Sequence, residues 1–349
     1  MGTHLVSTRA ELVTALLGCK GGDTIRLADV AWPMLNIGKP RQFDKHVIVE
    51  PVARNTLIPG WTWKGWGGIH MRGFKVQQNA ASVIALQSVS NFILEDCRAI
   101  GFDANRDPWD DGETGVRITS SVDVAVKNCD LTDLYRGIAA AESKGVDLDG
   151  NRIWQVREGL TLGALRDSFA RRNEISEIYA RYHKSEHPDA IQVQNAGLSS
   201  GCHGLEISDN KIALFGQRAC HGGFATVQST LPEMRHSRIS FLRNLIVNSA
   251  KHGISLGGCD DALVAENVVL RTQHATSGYK RGQDGGLTSA GLTPRIALGK
   301  TCTGVCRDNF APWYGPKAPG VEYVNNRAGW PAAPEAITEV PDDDGELAI

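Results

Sequence analysis

Three charged residues that could perform acid–base chemistry recur at the same place in successive segments of the chain. Glu158 follows Arg136 by 22 residues and Asp189 follows Glu158 by 31, each just before a Gly or Ala and a short aliphatic run. If successive segments stack as neighbouring strands, these residues lie about 5 Å apart. One carboxylate can then raise the pKa of the other, so the pair can act as acid and base. We therefore expect Arg136, Glu158 and Asp189 to be catalytic; the alternative is a surface row of ion pairs with little energetic effect.

The row of aligned residues that contains Arg136, Glu158 and Asp189 extends to a histidine. Long insertions enter the chain at the turns just before these aligned positions. After Asp189, the next two aligned turns fall at Gly223 and His252. The insertions are residues 102–114, 180–188, 216–223 and 274–294. Five of the ten histidines lie in or beside them: His183, His187, His221, His252 and His274. Loops on one side of a rigid stack form the walls of a groove and often carry function.

The insertions also carry candidate substrate-binding side chains. We expect His187 and His252 to join the catalytic set. Trp109 is a candidate stacking platform for a sugar ring. Tyr182, His183 and Lys184 lie in the second insertion and are expected to contact substrate.

A row of outward-facing residues follows the aligned turns. With Ile, Leu and Val pointing inward, strand alternation leaves one residue of each segment on the outer face. The row consists of Arg117, Ala139, Thr161, Gln192, Thr226 and Ser255. Because these side chains are mostly small and polar, they could accept the hydroxyl groups of a sugar chain, and we expect the polar members and Arg117 to bind substrate.

A repeat of about 22 residues must position all of these side chains. Alternating apolar residues lead into an Asn or Cys in each unit, and these marker residues are Cys97, Cys129, Asn151, Asn173, Asn210, Asn244 and Asn267. Asn309 and Asn326 are candidate late markers. A period of this size indicates a repeat architecture, and alternation of two indicates strands.

One such unit, with three short strands and three turns, is typical of one coil of a right-handed parallel β-helix. We therefore predict an all-β, single-stranded β-helix with long loops on one flank. An Asn repeated at one bend can bond to the turn backbone and to its own copies, and it tolerates the left-handed backbone we expect there. We place Gly73 one coil before Cys97, and residues 60–68 are predicted to be a Trp-rich loop.

The predicted domains are residues 1–32, 33–310 and 311–349. The first contains a helix with a capping box, Thr8 and Glu11, which ends at Gly21–Gly22, and then a strand, Thr24–Leu27. Such a helix would cap the open end of the stack. Residues 331–349 contain six acidic and no basic residues, and we expect a solvated tail or an attachment segment for other particle proteins.

Composition excludes several classes of function. The net charge of −2 predicts no strong attraction to nucleic acid or to an anionic membrane, and no apolar run is long enough to span a bilayer. The N-terminus lacks the pattern of a secretory leader, so we expect a leaderless protein. The eight cysteines do not form a small disulfide framework. Cys302 and Cys306 lack a second ligand pair, so we expect neither a metal site nor a cofactor.

The span 7–310 resembles right-handed parallel β-helix proteins, which include pectate-lyase-like enzymes, polygalacturonases, alginate lyases, C5-epimerases and phage tailspikes. The opening AELVTALLGCKGGDTIRL is similar to the N-terminal cap of alginate lyase and chondroitinase relatives.

Two short strings resemble polygalacturonase motifs. His187-Pro188-Asp189-Ala190-Ile191 is similar to Asn-Thr-Asp-Gly-Ile, and residues 251–257, KHGISLG, are similar to Gly-His-Gly-Ile-Ser-Ile-Gly. The resemblance implies that Asp189 is a catalytic carboxylate and His252 its supporting histidine. The Asp-Asp pair of that family is replaced here by Gly222-Gly223-Phe224-Ala225.

The likeness to lyases and epimerases implies another division of roles. Those enzymes need a cation on the uronate carboxylate, a base for the C5 proton and an acid for the leaving oxygen. The candidates are Arg136 or Lys184 as the cation, His183 or His187 as the base, and Tyr182 as the acid.

Three hypotheses follow. The first is a spike or fibre of a phage or phage-like particle that binds a bacterial surface polysaccharide, with or without cleaving it; the resemblance implies a homotrimer. The second is a polysaccharide lyase, C5-epimerase or glycoside hydrolase acting on an acidic polysaccharide. The third is a structural adhesin without a sugar site. The first places the protein on a virion, and the others make it soluble or extracellular.

Overall fold

The computed structural model describes residues 1–53, 56–77, 81–101, 112–178, 188–214, 221–226, 231–248, 252–271 and 294–329. The described elements begin with helix α1 (Arg9–Gly18) and strands β1 (Thr3–Val6), β2 (Thr24–Leu27), β3 (Leu35–Ile37), β4 (Gln42–Pro51), β5 (Leu57–Ile58), β6 (Trp61–Lys64), β7 (Gly67–Arg72), β8 (Lys75–Gln77), β9 (Ser82–Gln87), β10 (Ser90–Glu95), β11 (Arg98–Ile100), β12 (Thr114–Thr119), β13 (Val122–Lys127), β14 (Asp130–Ala141), β15 (Lys144–Asp149), β16 (Arg152–Gly163) and β17 (Arg166–Arg171). They continue with β18 (Glu174–Ser176), β19 (Asp189–Val193), β20 (His203–Ser208), β21 (Lys211–Ala213), β22 (His221–Ala225), a 3₁₀ turn (Pro232–Met234), β23 (His236–Leu242), β24 (Leu245–Asn248), β25 (His252–Leu256), β26 (Cys259–Asp260), β27 (Ala262–Ala265), β28 (Val268–Arg271), β29 (Arg295–Leu298), β30 (Thr303–Arg307), β31 (Phe310–Ala311), β32 (Trp313–Tyr314), β33 (Gly320–Val324) and β34 (Arg327–Ala328).

The strands stack into three parallel faces, and the chain winds as a right-handed parallel β-helix, which confirms the predicted all-β fold. Face 1 runs β1-β2-β4-β7-β10-β13-β15-β17-β20-β23-β27-β30-β33. Face 2 runs β5-β8-β11-β14-β16-β18-β21-β24-β28-β31-β34. Face 3 runs β3-β6-β9-β12-β14-β16-β19-β22-β25-β29-β32, and the long strands β14 and β16 belong to both faces 2 and 3.

Helix α1 lies at the N-terminal end of the stack, beside β1 and β2. The Thr8 Oγ1 atom accepts a hydrogen bond from the Glu11 amide at 3.2 Å, as the capping box predicts. Leu12 and Leu16 are fully buried. The helix ends at Gly18, three residues before the predicted Gly21–Gly22 stop.

Strand pairing extends through much of the predicted terminal segments. β1 begins at Thr3 and pairs with β2, and β34 pairs with β31 as far as Ala328. Part of the segment 1–32 and part of the segment 311–349 are therefore coil strands. The acidic residues 331–349 lie outside the described residues.

The Trp-rich segment 60–68 is not a loop, which corrects the prediction. Its tryptophans lie on β6 and just before β7, and Trp61, Trp63 and Trp66 are each 1% exposed or less. The Trp61 and Trp63 rings stack with centroids 5.5 Å apart, and Trp66 meets Trp63 edge-on at 5.8 Å. These bulky rings fill the interior of the first coils, where aliphatic side chains fill the later ones.

The marker asparagines form a continuous buried ladder, as predicted. The Oδ1 atom of Asn173 accepts from the backbone amide and from the Nδ2 of Asn151, both at 3.0 Å. The same pair of bonds recurs along the column, joining Asn173 to Asn210, Asn210 to Asn244, Asn244 to Asn267, Asn267 to Asn309 and Asn309 to Asn326. Each amide also donates to a backbone carbonyl, so every ladder member stabilises a turn that would otherwise bury unpaired polar groups.

The left-handed residue of this turn is not the marker but the residue before it, contrary to our expectation. Positive φ angles occur at Asp96, Asn128, Gly150, Arg172, Asp209, Arg243, Glu266, Asp308 and Asn325. Gly73 belongs to this column with φ 75°, so the residue that precedes Cys97 by one coil is Phe74. The left-handed residue reverses the chain, and the following Asn is free to turn inward and bond along the stack.

Candidate functional site

The candidate site lies on face 3, at the turn where faces 2 and 3 meet. In the coil of β11 and β12, and in those of β18 and β19, β21 and β22, and β28 and β29, predicted insertions lie between the two strands. Thr114 and residues 221–223, which were assigned to these insertions, belong instead to β12 and β22. In β14 and β16 the chain passes this turn as one uninterrupted strand. Two loop-free coils therefore lie between coils that carry longer connections.

We call the outward-facing row along face 3 the strip. Its register is Arg117, Ala139, Thr161, Gln192, Phe224, Ser255 and Ala297. Arg117, Thr161, Gln192 and Ser255 lie where they were predicted, but Thr226 does not. Phe224 holds that position, and Thr226 follows the end of β22, where its carbonyl oxygen lies 2.9 Å from the His236 Nε2 atom.

A glycine in the interior column explains the error at Thr226. Ile191 pairs with Gly223 and Gly223 with Ile254, so glycine stands where the other coils carry an aliphatic side chain. A Cβ atom on Gly223 would lie 2.5 Å from the Phe241 ring. The phenylalanine from face 1 thus occupies the space of the missing side chain, and the apolar pattern of this coil is shifted by two residues.

A second row, which we call the charged row, borders the strip. It comprises Thr114, Arg136, Glu158, Asp189, His221, His252, Arg295 and Trp313, one from each coil. A glycine or Ala190 follows each row member from Thr114 to His252 and faces the interior corner; a Cβ atom on Gly137 would lie 2.5 Å from Ile153 Cγ2. Because the backbone at these small residues packs closely against interior side chains, the row and the strip can both lie on the outer side of the turn.

The first half of the row is an ion-pair cluster centred on Glu158. Its Oε2 accepts from Arg136 Nε at 2.6 Å and from Thr161 Oγ1 at 3.3 Å, and its Oε1 pairs with Arg157 Nη1. The two guanidinium groups also lie 5.0 and 4.7 Å from the ring centroid of Tyr135. Arg136 and Glu158 are therefore neighbours, as predicted, but Glu158 is engaged by two arginines and is better placed to position cations than to exchange a proton.

The second half of the row is a carboxylate–histidine array. Asp189 is fully buried, and its Oδ1 lies 2.8 Å from His221 Nδ1. His221 meets the His252 ring edge-on with centroids 4.6 Å apart, and Phe224 packs against both imidazoles at 5.4 and 5.8 Å. The residue beside Asp189 in the next coil is thus His221 and not Gly223, which corrects the predicted row. His252 is joined to this pair by its edge-on contact with His221.

Arg117 is a partly buried cation at the other end of the strip. The Arg117 Nε donates to Ser82 Oγ at 2.7 Å, and its Nη2 lies 3.3 Å from Thr114 Oγ1. Burial, and secondarily the positive charge of Arg136, lower the pKa of Arg117. A guanidinium remains protonated at neutral pH, so this position favours an anionic or hydroxyl-rich ligand.

Several functional candidates were missed by sequence reasoning. These are Arg157, His221 as a partner of Asp189, Phe224, Arg295 and Trp313. The misplaced register hid His221 and Phe224, whereas the insertion 274–294 separates Arg295 from the recognisable repeat. The predicted residues Trp109, Tyr182, His183, Lys184 and His187 lie outside the described residues.

The opposite edge of face 2 carries an open groove of about 750 Å³, which sequence reasoning also missed. Its charges are largely paired with one another. Glu50 binds Arg26 at 3.2 Å and Arg72 at 2.7 Å, and Arg98 lies 3.4 Å from Asp130. Such alternation along a stack is typical of a solvated, salt-bridged face.

Within the described ranges, no group of three or more His, Cys, Asp or Glu side chains could hold a metal ion. Of the helices in the same ranges, none is long and apolar enough to cross a membrane.

Solved structures share the fold but little of the sequence. The alginate lyase from Paenibacillus sp. str. FPU-7 has a TM-score of 0.52 at 12% identity, over 78% of this chain and 94% of that one. PfbA, a surface adhesin of Streptococcus pneumoniae, has a TM-score of 0.54 at 11% identity, over 88% and 78%. The Dettilon tailspike protein has a TM-score of 0.54 at 12% identity, over 91% and 66%. At these identities the likeness concerns the fold alone.

A comparison with curated proteins found no match. Residues 62–230 match the family model described as the right handed beta helix region. This segment contains the first marker residues and the row from Thr114 to His221. The match, the three parallel faces and the asparagine ladder together support assignment of the chain to the right-handed parallel β-helix superfamily.

Proposed function

We propose that this protein binds a polysaccharide along the strip of face 3. The observation that carries the proposal is the strip itself, a straight row of mostly small or polar side chains bordered by the charged row. Neighbouring strands are spaced about 4.8 Å apart, so the row presents regularly spaced contacts along the helix axis. A long, unbranched ligand with repeated hydroxyl groups suits such a surface better than a compact one.

We further propose that the protein is a spike or fibre of a phage or phage-like particle whose ligand is a bacterial surface polysaccharide. The Dettilon tailspike protein supports this only through a shared fold. Glu158 forms ion pairs with Arg136 and Arg157, which favours ligand binding over acid–base catalysis in that coil. On this proposal the chain forms a homotrimer, and residues 331–349 attach it to other particle proteins.

A polysaccharide lyase, epimerase or hydrolase is the second candidate, and the Asp189–His221 pair favours it. A buried carboxylate at 2.8 Å can fix the orientation and tautomer of an imidazole, which then acts as a base. His252 stacks edge-on against that imidazole and restricts its movement. In this candidate, Asp189 is a positioning residue and His221 transfers the proton.

A panel of bacterial capsular polysaccharides and exopolysaccharides tests both candidates. Binding is measured directly, and products are detected by the absorbance of unsaturated sugars and by new reducing ends. Binding without product supports the spike. Product formation that is lost in Asp189→Asn and His221→Gln, while binding persists, supports the enzyme. Absence of binding to every glycan contradicts both and favours a structural adhesin.

A further inference from the structure

The charged row ends in a cation–aromatic pair that lies beyond the predicted site. β25 places His252 beside Arg295, and β29 places Arg295 beside Trp313. The guanidinium carbon of Arg295 lies 5.2 Å from the centroid of the Trp313 ring. Trp313 is 46% exposed, so a large part of its indole is open to solvent on the same flank as the strip.

Arg295 carries a charge that no carboxylate in the described part of the chain neutralises. Its Nε atom is buried and has no hydrogen-bond partner, and no carboxylate among the described residues pairs with it. Burial lowers its pKa, although a guanidinium stays protonated at neutral pH. Arg136, Arg235 and Arg243, in contrast, each bind a carboxylate at 2.8 Å or less. An anionic ligand on this flank would supply the negative charge that the described residues do not place beside Arg295.

The floor beside this pair is open because its side chains are small. Ser255 pairs with Ala297 on the strip. Gly315 continues the column beyond Ala297, since a Cβ atom built on it would lie 2.8 Å from the Ala297 methyl group. A sugar ring can therefore approach the backbone here more closely than at Phe224 or Gln192.

We propose that Arg295 and Trp313 form a subsite for a carboxylated sugar. The sugar ring packs against the exposed part of the indole that Arg295 does not cover, and its carboxylate accepts hydrogen bonds from the guanidinium. This inference rests on the proposed function, because it names the class of sugar bound at one end of the strip.

The test compares acidic oligosaccharides with their carboxyl-reduced, neutral counterparts. Oligogalacturonates, alginate oligosaccharides and hyaluronate oligosaccharides are titrated at fixed ionic strength, because charge contacts are screened by salt. We expect at least one acidic probe to bind about tenfold more tightly than its reduced form. Arg295→Gln should remove that preference, so that the acidic and reduced forms bind with equal affinity. Arg295→Lys should lose part of it, because an ammonium group cannot form the fork. Trp313→Ala should weaken both forms.

Arg152→Gln is the matched control, because Arg152 also lies over an indole, 4.9 Å from the Trp154 centroid, but on face 2. It should leave the acidic preference intact, and thermal unfolding should confirm that all variants fold. Equal affinity for acidic and reduced probes, or equal effects of the Arg295 and Arg152 substitutions, overturns the subsite. Binding to neutral glycans without binding to any acidic probe also overturns it, while the proposed function stands. Failure to bind any glycan, neutral or acidic, overturns both.

Discussion

His236 shows how one buried side chain adapts to the stack. Its Nδ1 atom accepts from the Cys202 amide at 3.0 Å, the role that Ser121 and Ser143 hydroxyl groups perform for earlier coils. Its Nε2 lies 2.9 Å from the Thr226 carbonyl oxygen and must therefore donate. A proton on Nδ1 would face an amide hydrogen, so the folded protein favours the neutral imidazole.

Acidification should destabilise the protein through His236. Burial lowers its pKa in the folded state, so the unfolded chain binds the proton more readily. The contribution of neutral His236 to the free energy of unfolding is complete above the pKa of histidine in the unfolded chain, about 6.5. This contribution is lost as the pH falls through the lower pKa of the folded state. Urea unfolding at a series of pH values should show a steeper acid loss in the wild type than in His236→Gln, which does not titrate. Parallel curves would contradict this assignment.

Asn210 should contribute strongly to stability. It bonds to Asn173 and Asn244 in the ladder and donates to the Ala170 carbonyl. Asn210→Ala leaves these buried groups unpaired and should lower the free energy of unfolding by about 2–4 kcal/mol. Asn36→Ala, on an exposed strand position, should change it by less than about 0.5 kcal/mol. Similar losses in the two variants would show that the ladder bonds do not stabilise the coil.

Substitution of Glu158 distinguishes a structural role in ion pairs from a catalytic role. Glu158→Gln removes the acceptor charge shared by Arg136 and Arg157 and should cost about 3 kcal/mol of unfolding free energy. Glu174→Gln removes the exposed pair with Lys211 at 3.3 Å and should cost less than about 1 kcal/mol. If Glu158→Gln instead retains full stability and abolishes product formation, Glu158 acts as an acid or base.

At the scale of the coil, the sequence predicted strands and the ladder but not every register. A buried Asn in the ladder needs an Asn neighbour in the coils above and below, so its regular recurrence can be recognised from the sequence alone. Phe241 from face 1 fills the space beside Gly223 that an aliphatic side chain fills in the other coils. Nothing in the sequence around Gly223 indicates that a residue distant in the chain fills this space. The row was therefore predicted at Arg136 and Glu158 and misplaced at His221. The left-handed column was displaced by one residue, because Arg172, Arg243 and Glu266 interrupt the Gly, Asn and Asp residues that occupy it in the other coils.

Adding a side chain at Gly223 tests this compensation. Gly223→Ala places a methyl group against the Phe241 ring and should lower the unfolding free energy by about 1–3 kcal/mol. In Gly223→Ala/Phe241→Leu, the combined loss should be smaller than the sum of the single losses, because the ring and the methyl group compete for one space. Gly257→Ala is the control, since among the described residues the nearest atom to its added Cβ is Ala225 O at 3.8 Å. Strict additivity would contradict the proposed packing.

At the scale of the whole molecule, a straight stack converts sequence repetition into a linear binding surface. Residues from seven coils, from Arg117 to Ala297, share one face although about half of the chain separates them. Face 1 is equally regular, but its outward columns carry paired charges such as Lys127, Asp147 and Arg171. The two faces thus differ in chemistry on the same scaffold, and in the described part of the chain face 3 combines small outward-facing residues with turns that carry insertions.

Blocking the strip with one large side chain tests the central claim most directly. Ala139 lies on the strip in a loop-free coil, and Ala125 occupies an outward position on face 1. Affinity for the tightest-binding glycan of the panel is measured for Ala139→Trp and Ala125→Trp. We expect at least about a tenfold loss, or 1.4 kcal/mol, for Ala139→Trp and no change for Ala125→Trp. Equal affinity of both folded variants would contradict binding along face 3.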